Sequence, residues 1–129
     1  MNEGPLIAVV DDDESVRESL HELLREFGFA VRSFASAEDF LVAGRIDEAR
    51  CLVTDIDMPG MSGCDLQREL RRRGENVPVV FISAHADGAL RSQVLEQGAV
   101  ACLSKPFSDT VLLETVRAVL DGAAKRRSP

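Results

Sequence analysis

Three consecutive carboxylates, Asp11-Asp12-Asp13, stand directly after the apolar run Leu6-Ile7-Ala8-Val9-Val10. Such a run reads as a buried strand, and acidic side chains gathered at its end do not stabilise a fold. Two like charges about 4 Å apart at an effective dielectric of about 20 repel by roughly 4 kcal/mol. A compensating cation is needed, and a hard, oxygen-preferring metal such as Mg²⁺ suits an all-carboxylate set. The pattern recurs at Cys51-Leu52-Val53-Thr54, a second buried run that stops at Asp55 and is followed by Asp57 and by Met58-Pro59-Gly60-Met61-Ser62-Gly63. Ser83 closes the run Val79-Val80-Phe81-Ile82, and Lys105 follows Leu103-Ser104. Carboxylates for a metal, a hydroxyl donor and a cationic amine together suit a phosphoryl group, whose oxygens need all three.

These residues can act together only if the strands that end in them finish at one edge. Five strand-like runs, Leu6 to Val10, Ala30 to Phe34, Cys51 to Thr54, Val79 to Ser83 and Ala99 to Leu103, alternate with five helix-like stretches. That alternation predicts a parallel sheet with helices on both faces. In such sheets ligands bind outside the carboxyl ends of the strands, where strand order reverses. If the first and third runs are neighbours, Asp11, Asp12 and Asp55 converge there. In the first helix Val16, Leu20, Leu23, Leu24 and Phe27 form one apolar stripe, and Leu112, Val116, Val119 and Leu120 repeat it in the last. Gly28, Gly44, Gly74, Gly98 and Gly122 mark expected helix ends, and Ser36, Ser62 and Ser108 expected N-caps.

Composition bounds the answer further. The 129 residues suffice for one domain with a real core, and 45% hydrophobic with 29% charged residues is ordinary for a globular chain. A formal charge of -7 argues against direct nucleic-acid contact by this domain, which would need a basic face. Arg71-Arg72-Arg73 and Lys125-Arg126-Arg127 read as a solvated helix end and a tail. Cys51, Cys64 and Cys102 have neither disulfide nor zinc spacing and read as small buried residues. With no signal-like segment and no run long enough to span a membrane, the expected location is the cytoplasm. The expected organisation is one domain over 1–122, with 123–129 a basic tail or the start of a linker.

Taken in order, Val9-Val10-Asp11-Asp12-Asp13, Val53-Thr54-Asp55, Met58-Pro59-Gly60-Met61-Ser62-Gly63, Ser83-Ala84-His85 and Ser104-Lys105-Pro106-Phe107 closely resemble the receiver domains of two-component response regulators, especially the FixJ-like branch. The resemblance covers essentially the whole chain. It implies an α/β, doubly wound, flavodoxin-like sheet of five parallel strands in order 2-1-3-4-5 with five helices. By the same resemblance Asp55 is the phosphoacceptor for a sensor histidine kinase. Asp12 is the main Mg²⁺ carboxylate, Asp11 the second acidic residue, and the Asp57 backbone carbonyl a further metal ligand. Ser83 and Lys105 would hold phosphoryl oxygens, and the Lys105-Pro106 bond is expected to be cis. Such a domain catalyses its own modification and is not a turnover enzyme. It switches an output, commonly transcription through a separate DNA-binding domain, and homodimerisation on phosphorylation is a family-level expectation. Where most receivers carry a rotating aromatic residue on the fifth strand, this chain has Cys102. Coupling is therefore expected to run through the loop Ala84 to Gly88 and the fourth helix.

Simpler readings stand beside these. Asp13 reads as a helix N-cap, His85 as a solvated loop residue, Met58 and Met61 as packing, and Thr54 as a strand residue. Lys105 as a mere surface charge fits its Ser-Lys-Pro-Phe setting poorly. Asp55-Ile56-Asp57 also fits the D-x-D motif of haloacid-dehalogenase-like phosphatases, although the acidic cluster precedes the candidate nucleophile and little chain is left for a cap. A third possibility is a receiver-like interaction module without phosphorylation, favoured only by Cys102.

Overall fold

The computed structural model describes residues 4–43, 46–85 and 87–127. Five strands alternate with five helices: β1 Leu6–Val10, α1 Glu14–Glu26, β2 Ala30–Phe34, α2 Ala37–Ala43, β3 Cys51–Asp55, α3 Gly63–Arg72, β4 Val79–Ser83, α4 Gly88–Glu96, β5 Ala101–Ser104 and α5 Asp109–Arg127. A short 3-10 turn at Ile46–Glu48, which periodicity did not reveal, precedes β3. All neighbouring strands pair in parallel, in the order β2-β1-β3-β4-β5. The doubly wound arrangement expected from the sequence is thus present.

The strands are apolar on both sides because both sides are covered. Ile7, Val9, Cys51, Val53, Val80 and Ile82 point to one face, where they meet Leu20 and Leu24 of α1 and Leu112 and Val116 of α5. Ala8, Val10, Leu52 and Phe81 point to the other, against Phe40 of α2, Leu66 and Leu70 of α3 and Val94 of α4. The period-two split follows from strand geometry. The central strands β3 and β4 are buried along their whole length, whereas the edge strands β2 and β5 are partly open.

Ser36, Ser62 and Ser108 each cap a helix as expected, accepting from the backbone N–H of Asp39, Asp65 and Val111 at 3.0, 3.1 and 3.0 Å. Gly28, Gly74 and Gly98 leave their helices at positive φ, the conformation that favours glycine. Gly122 departs from expectation: α5 runs through it to Arg127, because glycine lowers helix propensity without forbidding the helix. Strand bounds also shift, with Asp55 inside β3 and β5 starting at Ala101. Phe27, read as part of the α1 stripe, falls at the C-cap and is half exposed beneath the Arg117 guanidinium, 5.9 Å from the ring centre. Gly44, Ala86, Met1 to Glu3 and the terminal Ser128 and Pro129 lie outside the described residues.

Candidate functional site

Strand order reverses between β1 and β3, so the carboxyl ends of the strands open onto one crevice. Asp11 and Asp12 leave β1, Asp55 ends β3, Ser83 ends β4 and Lys105 follows β5. Register enforces the convergence: Val10 pairs with Thr54, Asp55 with Ile82, and Ser83 with Ser104. Among the described residues the buried polar ones are Asp11, Thr54, Asp55, Gln67 and Ser83, and all but Gln67 belong to these strand ends. A fold that buries polar groups here, where each needs a partner, has a use for them.

Asp11 is fully buried. Its Oδ1 accepts the Asp13 N–H at 2.9 Å, and Arg17 Nη1 donates to its backbone carbonyl at 2.8 Å. Its Oδ2 is sealed from solvent and accepts no aligned hydrogen bond, although Lys105 Nζ lies 3.3 Å away as an ion pair. Lys105 Nζ is equally 3.3 Å from Asp55 Oδ2, so one ammonium bridges two carboxylates. Asp55 Oδ1 accepts a long bond from the Asp57 N–H at 3.4 Å. Burial first, then the Asp11 charge, pushes the Asp55 carboxyl above its ordinary value, against the opposing pull of Lys105. Burial works against the Lys105 charge too, but Asp11 and Asp55 outweigh it and hold its pKa above the usual lysine value.

Asp11, Asp12 and Asp55 each offer a carboxylate oxygen, all within 4.8 Å of one another. Ligands at about 2.0–2.1 Å from a Mg²⁺ ion lie at most about 4.2 Å apart, so this spread suits a cation of that size after small adjustments. Asp11 Oδ2 keeps only the Lys105 ammonium at 3.3 Å and no aligned hydrogen bond, and the exposed Asp12 leaves one side open to water. The residues present therefore fit a hard divalent cation.

The remaining sequence expectations separate cleanly. Asp13 is the N-cap of α1, accepting from Ser15 and Val16 N–H at 2.9 and 3.2 Å, and is turned to that use. Thr54 is buried and donates to the Asp55 carbonyl at 3.0 Å. His85 reaches the site through its backbone N–H, which donates to Ser83 Oγ at 3.0 Å, while the residue itself is exposed. Asp57 is exposed beside Asp55, Met58 is buried, and Met61 packs on the core. The Lys105-Pro106 bond is cis.

Two contributors escaped the sequence reading. Arg17 sits on the polar side of α1, and nothing in a helical pattern distinguishes a guanidinium that turns back onto a strand end. Gly63 was read as part of a motif, but its spatial reason is specific: a Cβ there would collide with the Asp55 carbonyl oxygen. Glycine at the start of α3 instead of its end was the available signal.

The family model of the response regulator receiver domain matches residues 7–117. Response regulator protein TodT of Pseudomonas putida is 41% identical over 123 residues, covering 95% of this chain and 54% of that protein. Transcriptional regulatory protein FixJ of Azorhizobium caulinodans is 41% identical over 126 residues, covering 98% of this chain and 60% of its own. The chain spans about half the length of the curated relatives it matches. Among solved structures, that of FixJ-N superposes with a TM-score of 0.81 at 38% identity, covering 94% of this chain and 96% of that one.

Proposed function

The chain belongs to the response regulator receiver domain family, in its FixJ-like branch, and from that premise we propose that it accepts a phosphoryl group on Asp55 from a sensor histidine kinase. The observation that carries this reading is the placement of Lys105 Nζ 3.3 Å from both Asp11 and Asp55, beside three carboxylates that fit a divalent cation.

The proposed chemistry follows from these groups. A carboxylate oxygen of Asp55 attacks phosphorus, the phosphorus–nitrogen bond of the donor phosphohistidine breaks, and its electron pair returns to the imidazole. Asp55 must be ionised to attack, which burial and Asp11 oppose. Lys105 offsets part of that penalty. A Mg²⁺ ion held by Asp12, Asp11, Asp55 and the Asp57 carbonyl would supply the rest of the positive charge and neutralise the phosphoryl oxygens. Lys105, freed from its bridge to Asp55, pairs with one phosphoryl oxygen, and the Ser83 hydroxyl donates to another. The crevice excludes water from the buried Asp11 side and admits the donor from the exposed Asp12 side.

In this reading the domain is an acceptor with a switch, and the response regulators it resembles support transcription as the output. This domain itself contacts no nucleic acid, and any DNA contact would be made by a separate output domain of the kind its transcription-regulator relatives suggest. A homodimer would form on phosphorylation. Among the described residues no helix is long and apolar enough to cross a membrane, and cytoplasmic action beside the kinase is proposed. Family membership leaves the haloacid-dehalogenase-like alternative without support.

The test is intact mass after incubation with Mg²⁺ and acetyl phosphate, beside Asp55→Asn. One phosphoryl adduct that requires Mg²⁺ and is lost in the variant is expected. No adduct, with beryllofluoride also failing to bind, would favour the interaction module that lacks phosphorylation.

A further inference from the structure

Resting on the receiver reading, we propose that Arg91 is the positioning residue through which α4 senses occupancy of the Asp55 site. Its guanidinium reaches from α4 to the open edge of β5, with Nη1 donating to the Cys102 carbonyl at 2.8 Å and Nη2 to Ser104 Oγ at 3.1 Å. An edge strand leaves such groups free to be read by a side chain.

The contact closes a ring of hydrogen bonds that starts and ends at Ser83. Ser83 Oγ accepts the His85 N–H at 3.0 Å, and the His85 carbonyl accepts the Asp87 N–H at 2.8 Å. Asp87 caps α4 by accepting the Leu90 N–H at 2.8 Å, and its carbonyl accepts the Arg91 N–H at 2.9 Å. From Arg91 the path returns to Ser104, the register partner of Ser83, and the next residue, Lys105, donates its N–H to the Ser83 carbonyl at 2.9 Å. Both residues proposed to hold the phosphoryl group therefore lie on this ring.

Helix α4 is otherwise lightly held, with Val94 its one fully buried residue. An element with so few buried contacts sits near the low end of local stability, so the two-point clasp is a large share of its attachment. Drawing the Ser83 hydroxyl toward a phosphoryl on Asp55 strains its bond to His85 and pulls the loop that carries the α4 cap. With Arg91 fastened to β5, that pull reorients α4 against the sheet. Without the clasp, the loop moves and the helix does not follow.

Hydrogen-exchange mass spectrometry of residues 88–104, with and without beryllofluoride and Mg²⁺, tests this in the parent, Arg91→Ala and Arg91→Lys. In the parent, beryllofluoride should change exchange in this segment by roughly threefold or more. Arg91→Ala should lose that response while its Asp55 adduct forms within about twofold of the parent rate, since no phosphoryl contact has been removed. Lysine keeps the charge but not the two-point fork, and should restore less than half the response. A parent-like response in Arg91→Ala overturns the clasp and leaves the receiver reading intact. Should that variant not fold, Ser104→Ala, which removes one anchor point, should weaken the response, and an unchanged response overturns the proposal. A parent that forms no adduct and shows no response to beryllofluoride removes the receiver reading and the clasp with it.

Discussion

Asp11 Oδ2 is a buried carboxylate oxygen held by an ion pair alone. Burying a carboxylate carries a desolvation penalty even when it is ion-paired, a penalty that core packing would remove if the residue had no further use. The cysteines illustrate the opposite case, in which a polarisable group serves as packing. Burial pushes the Cys51 thiol from 9.0 up to about 12. A folded pKa raised above the unfolded one means that folding favours the protonated thiol, with full benefit below pH 9.0 and loss as pH rises through about 12. Cys64 is only half-buried, and burial raises its thiol pKa, with Arg68 opposing and Asp65 and Asp57 adding to the rise. With iodoacetamide at about pH 8, Cys64 is expected to be alkylated first, and Cys51 only once denaturant opens the fold. Peptide mass spectrometry over time checks the order, and equal native-state rates would contradict it.

At the scale of single elements, α1 and α3 carry devices that set where the site residues emerge. The Asp13 cap starts α1 immediately after Asp11 and Asp12, so the chain turns away with both carboxylates left at the strand end. Such a cap contributes about 1 kcal/mol. Helix α3 begins with a capping box at Ser62 and Asp65 and ends in arginines that suit its negative pole. Glu69 bonds Arg72 at 2.9 and 2.5 Å and Arg73 at 2.7 Å, and these hydrogen bonds lower its pKa from 4.5 to about 2. A depressed folded pKa gives stability that is present above 4.5 and lost as pH falls through about 2. Urea unfolding should show Glu69→Gln less stable than the parent at neutral pH. That gap should narrow steadily as acid is added, and shrink at high salt because the pairs are surface ones. A gap independent of pH would refute the assignment.

For the whole molecule, the site is a junction of four strand ends whose like charges repel in the folded chain more than in the unfolded one. A cation that binds only the assembled site must stabilise the fold, by about 2.7 kcal/mol at a hundredfold excess over its dissociation constant. Thermal unfolding in Mg²⁺ is therefore expected to exceed that in a chelator by this order, and Asp12→Ala should lose most of the difference. A melting temperature indifferent to Mg²⁺ would argue against the proposed metal site.

Much of this was legible in the residues alone. Strand and helix alternation, the Ser caps at 36, 62 and 108, and Asp11, Asp12, Asp55, Ser83 and Lys105 as strand-end groups all depend on local pattern, which is written in the chain at a spacing of a few residues. Sheet order is different, because nothing local says that β1 lies between β2 and β3, and here it came from resemblance to a family. Only the tertiary structure decided which groups touch. It gave Lys105 to two carboxylates at once, turned Arg17 back onto Asp11, put Gly63 against the Asp55 carbonyl and carried Arg91 across to β5. It also extended α5 past Gly122, where helix continuity outweighs one residue's weak preference. The physical reason is common to the contacts: they join residues from separate elements, whose meeting depends on strand register and helix placement, and neither is encoded by any one segment.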